Sequence, residues 1–297
     1  MFGQMVIWYL FLGGAGAGMV AIMTLFDLLS QLYAANPKRV CLQWTRLLTR
    51  RFFSLGYSFS VFVLVLGAFC LMVDLGRPER FYYVLTHPAV SVLAFGSYVL
   101  GATIVCAAVL GAISFFKVRK IPLWALRLLE VLAVAVSSGT MVYTGLLLVE
   151  ISFIPLWNNP LLPVLFTFSA LSVGMALVIA CLFVTFQGIQ RTELMRKASL
   201  FDGVFIVLEA ISLGAYIAVA MFSIESAAAS AAISEFFTGI NAAEFWIGFV
   251  VCGLAAPLVL DAVYAKINHT ALMATVVPLV LIGGFYLRYC LVNVGVA

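Results

Sequence analysis

Val73-Asp-Leu-Gly-Arg-Pro-Glu-Arg-Phe81 separates two long apolar runs, Phe53–Val73 and Val90–Phe116. Each run is about as long as the ~20 residues needed to cross the hydrocarbon core of a bilayer as a helix. The nine residues between them hold Asp74, Arg77, Glu79 and Arg80, with Gly76 and Pro78 to stop a helix. The stretch therefore reads as a charged turn where one membrane helix ends and the next is still to come. An acid and a base three residues apart in such a turn can grip a small polar ligand. They can equally pair with each other or with lipid headgroups.

Composition points the same way. The 297 residues are 65% hydrophobic and 9% charged, with a mean hydropathy of +1.19. A soluble domain is nearer half apolar and about a quarter charged, so this chain has too little polar surface to cover itself in water. The apolar runs are long and lack the short alternating segments of a membrane β-barrel. The expected class is an all-α integral membrane protein. Its six cysteines are scattered at 41, 70, 106, 181, 252 and 290, with no Cys-x-x-Cys. That spacing argues against an iron–sulfur cluster or a metal site in this chain. His87 and His269 stand at the edges of apolar runs, poorly placed to ligate a haem inside a bundle, so no haem is expected. Met1-Phe-Gly-Gln4 has no basic residue before its apolar run and reads as the start of a retained helix.

Eight runs are long enough to span: about Met5–Leu28, Phe53–Val73, Val90–Phe116, Leu123–Val149, Leu162–Phe186, Phe201–Ile224, Ala243–Tyr264 and Leu272–Val294. Of the sixteen basic residues, all but Arg77, Arg80 and Arg288 fall in or beside alternate connections. Positive charge marks the cytoplasmic side. The other connections carry Asp74, Glu79, Glu150, Glu225 and Glu235. Both termini are therefore expected outside, together with the opening stretch. The sequence reads as a single membrane domain over 1–297, with about 1–150 forming a first four-helix half and about 151–297 a second.

Gly14 and Gly18 in the first run have GxxxG spacing, and Ser169, Ser172 and Gly174 make a similar small face in the fifth. Such faces let helix backbones approach closely in lipid. Phe168–Met175 aligns loosely with Leu12–Met19, as in a distant parallel repeat. The 150–162 connection has two prolines and Trp157, suited to the headgroup zone. The 225–242 connection reads as a short interfacial helix.

Ionisable residues within spans need a reason. Glu209, in the sixth run, is either a protonated packing group or a proton relay from the cytoplasmic side, and Glu130 in the fourth could share that path. Arg288, in the outer third of the eighth, wants a carboxylate partner such as Asp74 or Glu150. Tyr143 lies level with the opening stretch and is either an interfacial anchor or a hydrogen-bond donor to a quinone carbonyl. Gln4, Trp8 and Tyr9 at the outer start of the first run could complete that pocket.

Tyr9-Leu-Phe-Leu-Gly-Gly-Ala-Gly-Ala-Gly18, Asp74-Leu-Gly-Arg-Pro78, Tyr143-Thr-Gly145, Leu162-Pro-Val-Leu-Phe-Thr-Phe-Ser-Ala-Leu171 and Gly283-Gly-Phe-Tyr-Leu-Arg-Tyr289 stand in the order and spacing of one family. In these motifs the sequence resembles, nearly end to end, the NrfD/PsrC membrane subunits of polysulfide-reductase-like molybdoenzyme complexes. The resemblance implies eight transmembrane helices in two four-helix bundles with both termini outside, in a bacterial or archaeal cytoplasmic membrane. It also implies a cofactor-free subunit that exchanges electrons between the quinone pool and a four-cluster, ferredoxin-like iron–sulfur subunit. That subunit in turn serves a molybdopterin catalytic subunit on the outer side, and no nucleic-acid partner is implied. Carried over by position, Asp74, Arg77 and Tyr143 are the implied menaquinone-binding residues. Some family members have a His and an Asn near the outer start of the first helix, where this sequence reads Gln4-Met-Val-Ile-Trp8. The expected function is oxidation of menaquinol. The alternatives are a structural anchor without redox role and a proton- or ion-translocating transporter.

Overall fold

The computed structural model describes residues 4–35, 40–74, 92–116, 121–150, 154, 156–222, 237, 239, 242–267 and 269–294. Eight helices among them are long and apolar enough to cross a membrane: α1 (Gln4–Ala35), α2 (Arg50–Asp74), α3 (Val92–Phe115), α4 (Leu123–Val149), α5 (Leu162–Thr185), α6 (Gly188–Phe222), α7 (Glu244–Ile267) and α8 (Thr270–Val294). A short 3₁₀ helix, Val40–Leu47, precedes α2. The protein is an all-helical, multi-pass membrane protein, and each apolar run of the sequence coincides with one helix.

Neighbouring helices pack in sequence. α1 lies against α2, α2 against α3, α3 against α4, and α4 returns to α1. Likewise α5 meets α6, α6 meets α7, α7 meets α8, and α8 returns to α5. The two sets join mainly where α1 crosses α5. These two helices are the most deeply buried spans, while the others keep large apolar side chains exposed, such as Phe62, Phe69, Val105, Leu128, Ile211 and Val259. An exposed apolar belt of this extent is the surface expected to face lipid.

Glycine sets the α1–α5 crossing. A Cβ on Gly18 would lie 2.0 Å from the Ala170 carbonyl oxygen, and one on Gly174 would lie 2.4 Å from the Gly18 carbonyl carbon. Close backbone approach replaces the missing hydrophobic drive between helices in lipid. The stretches that align loosely in sequence are thus packed against each other, Gly14 facing Ala170 and Gly18 facing Gly174. α7 and α8 meet in the same manner at Gly253 and Gly283.

The helices differ from the sequence expectation at a few points. α6 begins at Gly188, thirteen residues before the expected Phe201, because its first turns are amphipathic and carry Arg191, Glu193, Arg196 and Lys197. Gly188 supplies the positive φ (60°) at which the backbone turns, and Arg191 Nε donates to the Phe186 carbonyl at 2.6 Å. α7 runs as a π-helix over Glu244–Ala255 before continuing as an α-helix from Ala256. Pro257 follows at once. The wider turn keeps its ring, which lacks an N–H, from colliding with the carbonyl one α-helical turn back. Trp157, expected among headgroups, is fully buried, and its Nε1 donates to the Leu291 carbonyl at 2.9 Å. The interfacial helix expected over 225–242 falls mostly outside the described residues.

Gly18→Ala is expected to destabilise the purified protein by about 1–3 kcal/mol through forced separation of α1 and α5. Gly101→Ala meets nothing within 4 Å and should leave thermal unfolding in detergent unchanged or slightly raised. Equal midpoints for the two variants would refute the close-approach account.

Candidate functional site

At the end of the helix set where α1 begins, Tyr9 and Tyr143 are both fully buried. Their phenols lie near enough to interact across the α1–α4 contact. Neither hydroxyl has a hydrogen bond of good geometry among the described residues. Buried phenols normally find a partner, and buried polar groups without one call for a reason. Gly96 of α3 makes room for the Tyr143 ring, since a Cβ there would lie 1.8 Å from Tyr143 Cζ. The second half repeats the device, with Gly248 of α7 seating Tyr286 of α8.

The remaining sequence-predicted residues divide around this pair. Asp74 is the last residue of α2 and is exposed. Glu150 caps the end of α4, also exposed. Gln4 opens α1 and is exposed. Trp8 lies one residue from Tyr9, about 100° around the helix, so it leaves Tyr143 and packs on Phe285 of α8 at 4.7 Å between ring centroids. Arg77 lies outside the described residues, as does all of the opening stretch after Asp74.

Arg288 is fully buried between α1, α5 and α8. Its Nε donates to the Leu10 carbonyl at 3.1 Å, and its Nη1 to Ser169 Oγ at 3.0 Å and the Gly284 carbonyl at 2.6 Å. Its charged neighbour is Glu209 of α6. This replaces the expected loop partner, Asp74 or Glu150. The side chain runs back toward the start of its own helix, into the bundle, so an intramembrane acid is nearer than a surface one. Glu209 is 3% exposed and faces Ser169 and Ser172 as well as the guanidinium. A buried charge is tolerated when it is hydrogen-bonded and has an opposite charge nearby. Arg288 is held through Nε and Nη1, with Nη2 lacking a partner among the described residues, and Glu209 is the acid that acts on it.

Glu130 is at the opposite end, thirteen residues before Tyr143 on α4, or about 20 Å along the helix. It is fully buried and accepts a hydrogen bond from Gln31 of α1 on Oε1, while Oε2 has no partner among the described residues. Gln31 lines a cavity of about 520 Å³ together with Asp27, Arg50 and Ser114. α4 and α6 make no contact among the described residues, so Glu130 and Glu209 stand in separate halves. Sequence reasoning missed three acidic or hydroxyl groups that the packing makes prominent: Asp27 beside Gln31, Asp202 two turns before Glu209, and Ser199. The signal for Asp202 was its seven-residue spacing from Glu209, which puts both on one helical face.

Arg288→Met is expected to cost about 3–5 kcal/mol, because Glu209 is left buried without its counter-charge. Adding Glu209→Gln should recover part of that loss, giving a coupling of roughly 0.5–3 kcal/mol in a double-mutant cycle on thermal stability. Strict additivity of the two substitutions would show that they do not form a pair.

The whole sequence, residues 1–297, matches the family described as Polysulphide reductase, NrfD. It is also similar to the C subunit of the polysulfide reductase of Wolinella succinogenes, 32% identical over 171 residues, which is 55% of this protein and 53% of that one. The match thus spans about half the length of that relative.

Proposed function

We propose that this protein, which belongs to the NrfD polysulphide reductase family, oxidises a quinol at the end of the bundle where Tyr9 and Tyr143 meet. It passes the electrons to a partner on that same side of the membrane. The observation that carries this reading is the pair of buried phenols, which face each other across α1 and α4 while neither hydroxyl makes a hydrogen bond of good geometry among the described residues. A quinone ring presents two carbonyl acceptors, or two hydroxyls once reduced, and an unsatisfied buried phenol can bond to either form. The apolar rings and helix walls around such a site favour a lipid-soluble substrate.

The substrate is a menaquinol entering from the lipid, with Tyr143 holding one ring oxygen. Loss of two electrons makes both hydroxyl protons acidic, and a carboxylate within reach accepts them. Asp74, at the end of α2, is the acceptor, and Arg77 keeps it ionised or orients it. Two electrons leave singly to an iron–sulfur subunit that serves a molybdopterin oxidoreductase, and two protons leave to Asp74 and then water. The similarity to a polysulfide reductase subunit motivates that assembly. By the distribution of basic residues this end is periplasmic, and the helices form two four-helix bundles in the cytoplasmic membrane.

In the intact complex, Asp74→Asn and Tyr143→Phe should each lower quinol-driven turnover, the first by about 100-fold or more if it is the proton acceptor. Gly96→Ala should act like Tyr143→Phe, because the added methyl takes the space of the ring. Unchanged turnover in both Asp74→Asn and Tyr143→Phe would defeat this reading.

A further inference from the structure

A second group of buried acids lies in the other half, away from Tyr9 and Tyr143. Asp202 of α6 is fully buried, and neither of its carboxylate oxygens has a hydrogen-bond partner among the described residues. Asp261 of α7 is 6% exposed. It accepts the Ser199 hydroxyl on Oδ1 at 2.7 Å, and its Oδ2 has no partner among the described residues. The charged groups acting on Asp202 are Asp261 and Glu209, both acids.

Among the described residues, no base offsets them from the surrounding elements. The elements packed on α6 are α5, α7, α8 and the Val40–Leu47 3₁₀ helix. α5 carries no charged residue, and α8 carries only Arg288, which is engaged higher up with Glu209. The 3₁₀ helix carries only Arg46, which is exposed. α7 adds Glu244 at its far end and an exposed Lys266. The charged residues Arg191, Glu193, Arg196 and Lys197 lie earlier on α6 itself, in its amphipathic extension.

Two adjacent carboxylates cannot both remain ionised in a low-dielectric interior without a counter-charge. They must share a proton or hold a cation. Hard metal ions such as calcium take about six or more oxygen ligands. Here the oxygens are two carboxylates and a hydroxyl that already donates to one of them. Among the described residues there is no group of three or more His, Cys, Asp and Glu that could hold a metal ion. A proton fits the site.

Water can reach it. An open groove of about 420 Å³ is lined by Ser199, Gly203, Val207, Leu258, Asp261 and Ala265. A Cβ at Gly203 would stand 3.9 Å from Asp261 Oδ2, so the missing side chain leaves that oxygen open to the groove. From Asp202, Glu209 is seven residues on, two turns along the same face and about 10.5 Å.

We propose that Asp202 and Asp261 form a proton-holding carboxyl pair, which takes protons from water in this groove and delivers them to Glu209 opposite Arg288. The proton binds Asp261 at Oδ2, is shared with Asp202, and crosses the two turns to the Glu209 carboxylate by way of intervening water. No electrons move. The pair lies at the basic end of the bundle, so the path runs from that end to the charge pair beside α1. It goes beyond the quinol reading and stands without it.

Infrared spectroscopy of the full-length protein in detergent tests the proposal without any turnover. Absorption of protonated carboxyls in the wild type should fall in Asp202→Asn and in Asp261→Asn. At a pH low enough to protonate Glu209, its carboxyl band, identified by its loss in Glu209→Gln, should exchange into D₂O at least tenfold more slowly in Asp261→Asn than in the wild type. Ser199→Ala keeps both acids and serves where an Asn variant does not fold. It should shift the Asp261 absorption by removing its hydrogen-bond donor. Undiminished protonated-carboxyl absorption in the Asn variants, no shift in Ser199→Ala, or unslowed exchange at Glu209 would each overturn the proposal. So would carboxylates that are ionised in the wild type and respond to added sodium ions.

Discussion

The close crossing of α1 and α5 is the constraint on which the rest of the molecule depends. Gly18 and Gly174 let two backbones touch where any side chain would collide with main-chain atoms. The same crossing makes the seat for Arg288. A Cβ on Gly14 would stand 3.0 Å from Nη2 of the guanidinium, and Ser169 of α5 accepts from its Nη1. Small residues thus serve twice: they bring the two halves together, and they leave the volume in which a charge can be buried with its partners. Without the seat, Glu209 and Arg288 would be isolated ions in hydrocarbon, an arrangement that costs several kcal/mol per charge.

Polar chemistry is distributed by end and by half. The phenol pair is at the end where α1 begins, and Asp74 and Glu150 close helices at that same end. The acids without a basic partner beside them, Asp202 and Asp261, are at the other end. Asp27 and Gln31 line a cavity at that end of the first half, and Gln31 donates to Glu130. Among the described residues, Glu209 and Arg288 are the charged groups buried between these ends. A subunit that handles a lipid-soluble reductant on one face and protons in its interior needs this kind of separation, because charge and apolar substrate compete for the same low-dielectric space.

The helices were legible in the sequence because apolar length alone defines a span in lipid, and the basic residues alternate with the connections. The glycine faces were legible for the same reason, since few other roles suit Gly14, Gly18 and Gly174 in a span. What could not be read was direction. Trp8 and Tyr9 are adjacent in sequence, yet only the packing tells that one faces α8 and the other α4. Arg288 wanted an acid, and the nearest by topology were Asp74 and Glu150. The true neighbour, Glu209, is set by a guanidinium that points into the bundle. The start of α6 was hidden because its first turns are amphipathic and therefore look unlike a membrane segment. The π-turn of α7 shows in the sequence only as a proline, which marks a disturbance and not its form.

The central claim is that a quinol is held between the phenols of α1 and α4. Photolabelling the intact complex with an azido-menaquinone, followed by peptide mapping, measures this most directly. The account predicts label on the segments that carry Tyr9, Gly96 and Tyr143, suppressed by excess unlabelled menaquinone. Competable label confined to the opposite end, on the walls of the cavity beside Asp27, Gln31 and Arg50, would contradict it.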